Sequence, residues 1–190
     1  SWSTISQLKT KTTGQDKRTG KTVKTVKTVK TVKMVKMGKI VKTMKIVRGP
    51  PGTGKTTEVA KTIAQHGKEP DEISVCSADN YFEEVADLNN TTYLEEFKPW
   101  LVGKAHQHCW GSFIHAICVM EEELVIVDNT NTYKWEYENY VFLAELNGYV
   151  VEIIEIPFDA EKAEVYYERN THGVPLEVIE RMIREYEPEG

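Results

Sequence analysis

From about residue 39 onward, apolar positions fall into two alternating patterns: short unbroken runs, and stripes at helical spacing. Lys39 to Val47, Ile73 to Ser77, Leu124 to Val127 and Tyr149 to Ile156 are β-branched and apolar enough to read as buried strands. Thr57 to His66 reads as a helix with Val59, Ala60, Ile63 and Ala64 inward, stopped by Gly67. Trp100 to Met120 contains a second, with Ala105, Cys109, Phe113, Ala116, Ile117 and Met120 at helical spacing. Trp135 to Leu146 is a third, ending at Gly148. Asp159 to Arg169 and Pro175 to Tyr186 are two more, the last with Leu176, Ile179, Met182, Ile183 and Tyr186 on one face. Strands alternating with helices predict an α/β fold with a mainly parallel sheet. Such sheets bind ligands beyond the carboxyl ends of their strands. The residues that follow each strand are therefore the ones to inspect: the glycine loop after Val47, Asp79, Asp128 and the region after Ile156.

The preceding residues follow a different rule. Lys-Thr-Val repeats with period three from Lys21 to Lys33, matching neither a strand nor a helix, so no apolar face stays fixed. This predicts a disordered, basic low-complexity arm over residues 1–38 and one folded domain over 39–190. Charge divides the same way. Residues 1–47 hold 13 Lys/Arg against the single acid Asp16, whereas the remainder holds 11 basic and 28 acidic residues. An acidic body is poorly suited to broad attraction of nucleic acid. The arm is either an electrostatic tether for anionic partners or an expanded repeat without function. No apolar run approaches a membrane span, and Cys76, Cys109 and Cys118 lack metal-ligand spacing. The expectation is a cytoplasmic protein with reduced thiols.

Between the first strand and first helix lies Gly49-Pro50-Pro51-Gly52-Thr53-Gly54-Lys55-Thr56, followed by Thr57. It satisfies the phosphate-loop pattern GxxxxGK[ST], which chance would supply on the order of one time in a hundred in a chain this long. The glycines let the backbone turn and aim N–H groups at phosphate oxygens, and the following helix adds its N-terminal dipole. Lys55 suits the β- and γ-phosphates, and the Thr56 hydroxyl suits Mg²⁺. The cofactors expected are ATP or GTP, and Mg²⁺.

Three further residues complete the candidate chemistry. Asp79, in Ser77-Ala78-Asp79-Asn80-Tyr81-Phe82, is placed to activate a substrate hydroxyl, or to cap a turn. Asp128 ends four apolar residues in the Walker B manner and suits Mg²⁺ or its water shell. Its neighbours Asn129, Thr130 and Asn131 offer short polar groups to phosphate or substrate, or form a capped turn. Arg169 closes a helix before a glycine-containing hinge, where a guanidinium can neutralise a transferring phosphoryl or pair with Glu164 or Glu168. His106 and His108, two apart, cannot share one helix face for a metal. Trp100, Trp110 and Trp135 read as core or rim packing.

From about Ile46 to Tyr186 the chain resembles the polynucleotide-kinase-like P-loop kinases, including small animal and viral ATP-binding or AAA-type proteins. Four stretches carry the resemblance: Arg48 to Thr57, Ser77 to Phe82, Ile126 to Asn131, and Arg169-Asn170-Thr171-His172-Gly173-Val174-Pro175 continuing to Ile179 and Met182. The resemblance implies a three-layer P-loop NTPase sandwich of kinase type, with the Asp128 strand beside the phosphate-loop strand. It implies Asp79 as hydroxyl-activating carboxylate and Arg169 as a lid arginine. It implies a Mg²⁺-ATP-dependent kinase acting on a hydroxyl, with a polynucleotide 5′-OH the most specific acceptor. Two features depart from the family pattern: Phe82 stands where 5′-polynucleotide kinases carry an Arg, and the body is acidic. The alternatives are an ATP-binding switch acting through a protein partner and a small-molecule kinase.

Overall fold

A computed structural model describes residues 41–67 and 73–189. Four strands form one sheet: β1 (Thr43–Arg48), β2 (Ile73–Cys76), β3 (Leu124–Asp128) and β4 (Val150–Glu155). Their order is β2-β3-β1-β4, and every neighbouring pair is parallel. The crossovers and flanks are α1 (Lys55–His66), α2 (Asp79–Asn89), α3 (Tyr93–Glu96), α4 (Val102–Ile114), α5 (Trp135–Leu146), α6 (Ala163–Arg169) and α7 (Leu176–Glu185).

The strands are nearly unbroken apolar runs because helices cover both faces. Met44, Ile46, Val125 and Val127 pack with Cys109 and Phe113 of α4 and Tyr137, Tyr140 and Ala144 of α5. Val47, Leu124, Ile126, Ile73 and Ile156 pack on the other face with Val59 of α1. Three layers result, as the kinase-type sandwich requires. Each fully buried Val, Ile or Met contributes about 1.5–3 kcal/mol of transfer free energy, so the central pair β1–β3 anchors the fold.

Several expectations need correcting. The first strand begins at Thr43 rather than Lys39; residues 39 and 40, like the arm at 1–38, lie outside the described residues. On α1 the buried positions are Val59 and Thr62, while Ala60 and Ala64 are exposed. The buried stripe is rotated from the expected one by about 100°, at 100° per residue, because Thr62 faces the sheet. Ala105, Cys109, Phe113, Ala116 and Ile117 are buried as expected, but Met120 is exposed. Residues His115–Met120 form a π-helical turn, whose wider winding carries Met120 off the stripe. Trp110 packs against Phe113 and Tyr140, whereas Trp100 and Trp135 are 78% and 65% exposed.

Helix α2 was not foreseen. It follows β2 after a two-residue connection and buries only Phe82 and Ala86, too short a stripe for periodicity to reveal. It matters functionally, because Asp79 is its first residue.

Candidate active site

The sheet order places a topological switch between β1 and β3, since the chain leaves β1 for β2 and later crosses back to β4. Val47 pairs in register with Asp128. The phosphate loop and the acid at the end of β3 therefore emerge side by side. The Gly49 amide donates to the Thr130 carbonyl at 3.0 Å, tying the two loops together.

Within the loop, Gly52 and Gly54 have φ of 74° and 107°, which side-chain-bearing residues rarely adopt. Gly52 has a second reason to be glycine. A Cβ there would lie 2.0 Å from the Tyr166 carbonyl oxygen of α6. The helix that ends at Arg169 thus rests directly on the phosphate loop. Thr53 Oγ1 donates to the Pro50 carbonyl at 2.8 Å. Lys55 Nζ donates to the Gly49 and Pro50 carbonyls at 2.9 and 3.1 Å, curling over the loop. Burial lowers its pKa, and Asp128 and Asp79 only partly restore it. A cation so desolvated is primed for a phosphate charge. Thr56 and Thr57 are exposed at the start of α1.

Asp128 is pushed up to about 6 by burial and by Asp79, against the pull of Lys55 and His172. Its Oδ1 is buried with no hydrogen-bond partner. Such an oxygen needs a partner, and a carboxylate oxygen is a hard donor of the kind Mg²⁺ takes.

Asp79 is held closely. Ser77 Oγ accepts from its amide at 3.2 Å, and Asn129 Oδ1 accepts from the Ala78 amide at 2.9 Å. The Tyr93 hydroxyl donates to Oδ1 at 2.6 Å, and His172 Nδ1 lies 3.1 Å from Oδ2. Burial works to raise the Asp79 pKa, but the bonds from His172 and Tyr93 and the charges of His172 and Lys55 hold it below the ordinary carboxylate value. Lys55, Asp79 and Asp128 thus share one electrostatic cluster although three separate elements supply them.

The remaining candidates fall less uniformly. Arg169 is exposed in the last turn of α6, one turn beyond the Tyr166 backbone that crosses Gly52. Asn129 braces Ala78 and donates to Cys109 Sγ at 3.5 Å. Asn131 is buried, with φ 45°. The groups after Asp128 therefore build the site's frame. His108 lies 3.1 Å from Glu84, and His106 is exposed.

Three functional neighbours escaped sequence reasoning. Tyr93 and His172 reach Asp79 only through the fold, although His172 sat within a recognised stretch. Arg48, also within one, is 0% exposed. It donates to the carbonyls of Asn131, Thr132 and Glu187, and to Glu189 and Tyr137. A buried arginine with these partners is a framework residue, fixing the backbone from which Gly49 departs. Its position directly before the loop was the available signal.

Fold and site together define a P-loop kinase-like, nucleotide-binding protein. The chain belongs to the AAA domain family (AAA_33), which it matches over residues 44–189. NEDD4-binding protein 2 of Homo sapiens is 32% identical over 145 residues; the match covers 75% of this chain and 7% of that protein. The chain thus spans a small fraction of that relative. The structure of the Pnkp1/Rnl/Hen1 RNA repair complex is similar with a TM-score of 0.55 at 16% identity, covering 76% of this chain and 44% of the other. A gluconokinase from Sinorhizobium meliloti 1021 is similar with a TM-score of 0.45 at 13% identity, covering 78% and 77%. Among the described residues, no helix is long and apolar enough to cross a membrane.

Proposed function

We propose that this chain is a Mg²⁺-ATP-dependent kinase transferring the γ-phosphoryl group to a hydroxyl, with a polynucleotide 5′-OH as acceptor. The observation that carries the reading is the cluster of Lys55, Asp79 and Asp128 at the carboxyl ends of adjacent strands. A motor or switch needs the lysine and the metal-side acid; a second carboxylate, ionised and aimed, suits an acceptor.

In this reading Gly49 to Thr57 bind the triphosphate through backbone amides, and Lys55 meets the β- and γ-phosphates. Thr56 and Asp128 would hold Mg²⁺, which neutralises charge on the phosphates when bound. Asp79 orients the acceptor hydroxyl and takes its proton as the new O–P bond forms and the bond to ADP breaks. Arg169 stabilises charge on the transferring group from the lid. Phosphoryl transfer has a loose transition state, so positioning and electrostatics carry most of the catalysis. The RNA repair assembly among the similar structures supports the polynucleotide acceptor by analogy of fold. Were the basic arm an electrostatic tether for nucleic acid, deleting residues 1–43 should abolish a salt-dependent affinity.

The test is γ-labelled ATP offered with 5′-hydroxyl DNA and RNA oligonucleotides, nucleosides and small polyols. Transfer to a small molecule and to no oligonucleotide sinks the polynucleotide version.

One observation favours a second reading. Phe82 is 2% exposed and packs on Tyr93 and Phe97, so α2 offers no cation there to an anionic acceptor. An ATP-gated switch acting on a protein partner would show slow hydrolysis without transfer across the whole panel.

A further inference from the structure

Asp79 sits between two donors of different origin. Tyr93, bonded to Oδ1, belongs to the body of the protein. It opens α3, which is fixed by a capping box between Thr92 and Glu95. Its ring stacks on Phe97 at 5.9 Å and meets the buried Phe82 edge-on at 5.7 Å.

His172, facing Oδ2, comes from the lid side. It follows Arg169 by three residues, just beyond the helix whose Tyr166 backbone crosses Gly52. Asn170 shapes the segment: its Oδ1 accepts from the His172 amide and its Nδ2 donates to the Val174 carbonyl, both at 3.1 Å. Gly173 turns the chain with φ 68°. The imidazole then stacks on Tyr93, ring centroids 4.5 Å apart and planes at 23°. One short stretch from Tyr166 to His172 therefore touches both the phosphate loop and the acceptor carboxylate.

We propose that His172 is a positioning residue for Asp79: seated on Tyr93, it holds the carboxylate aimed when the Arg169 segment lies over the phosphate loop. This rests on reading Asp79 as the acceptor-activating carboxylate. An ionised carboxylate offers about four acceptor sites. Tyr93 and His172 take two on opposite oxygens, which fixes the rotation of the group and leaves sites for the acceptor hydroxyl. The charges and titratable groups facing the imidazole are Asp79 and Glu83 of α2, Tyr93 of α3, Lys55 of α1 and Asp128 of β3. With His172 absent, Oδ2 loses its partner and the carboxylate can turn toward Lys55. Misplacing a reacting group in this way slows the step without weakening nucleotide binding.

The experiment compares full-length wild type, His172→Ala, His172→Asn and Asp79→Asn, using γ-labelled ATP and a 5′-hydroxyl oligonucleotide. Nucleotide affinity is measured separately with a fluorescent ATP analogue, and folding by thermal melting. We expect His172→Ala to lower kcat about tenfold or more, with nucleotide Kd and Tm unchanged. His172→Asn, whose amide still donates, should recover most of the loss. Wild-type kcat in His172→Ala, an equal loss of nucleotide affinity, or no recovery in a folded His172→Asn each overturns the proposal. Should His172→Ala fail to fold, the Asn variant decides on the same criteria. Full activity in Asp79→Asn is a different failure: it removes the base assignment itself, and with it this role for His172. Absence of transfer by the wild type likewise removes the kinase reading first.

Discussion

Arg48 and Glu189 meet at 2.7 Å although 141 residues separate them in the chain. The buried guanidinium also takes the Glu187 carbonyl at 2.7 Å, and lies over the rings of Tyr137 and Tyr186. The segment after α7 is thereby strapped to the end of β1, and the Glu189 amide donates to Glu155 at the end of β4. Replacing Arg48 with Met leaves several buried carbonyls and a carboxylate without their donor. We expect a loss of roughly 3 kcal/mol in urea unfolding. Removing residues 187–190 should lower Tm by a comparable route while leaving the phosphate-loop sequence intact.

Gly52 and Gly67 both have φ near 70°, but only Gly52 faces another backbone. Gly67→Ala should cost about 1 kcal/mol in stability and leave nucleotide affinity alone. Gly52→Ala, colliding with the Tyr166 carbonyl, should displace α6 and weaken nucleotide binding at least about tenfold. Equal affinities for the two variants in a fluorescent-nucleotide titration would refute this difference.

Lys55 satisfies itself on the Gly49 and Pro50 carbonyls and is desolvated. Lys55→Met keeps the aliphatic stem and removes a buried charge. Melting should therefore be unchanged or slightly raised, while nucleotide affinity falls by about two orders of magnitude. A strongly destabilised Lys55→Met would contradict the electrostatic account.

The raised pKa of Asp128, about 6, has two consequences of opposite sign. In the metal-free protein the folded state takes up this proton before the unfolded chain does. The contribution to stability is fully present below the unfolded pKa, near 3.8, and is lost as pH rises through about 6. Mg²⁺ needs the ionised form, so metal-dependent nucleotide binding should weaken as pH falls below about 6, approaching tenfold per unit. Asp128→Asn should flatten both profiles; calorimetry and metal titration at pH 5 and 8 distinguish the cases.

Legibility in the sequence tracked how local each cause was. The helix at Trp135–Leu146 was read with the boundaries it has, because its stop at Gly148 lies two residues past its last apolar residue, Leu146. Thr62 was missed as a buried residue because burial depends on which face of α1 meets the sheet, and a threonine gives no apolar signal. Helix α2 was missed because its short stripe is Phe82 and Ala86 alone. Tyr93 gave no hint of its bond to Asp79, since nothing in its neighbours distinguishes a site tyrosine from a packing one.

By itself the sequence determined the phosphate loop, the strands around it and the acids that follow them. Backbone conformation at glycines and the period of apolar residues are local properties that survive in a one-dimensional pattern. Tertiary structure alone decided which side chains meet. Register put Asp128 beside Val47, the crossing of α6 put a backbone carbonyl over Gly52, and the return of the chain after α6 put His172 on Asp79. Those contacts join residues tens of positions apart, and their strength depends on burial and distance, quantities that exist only once the chain has folded.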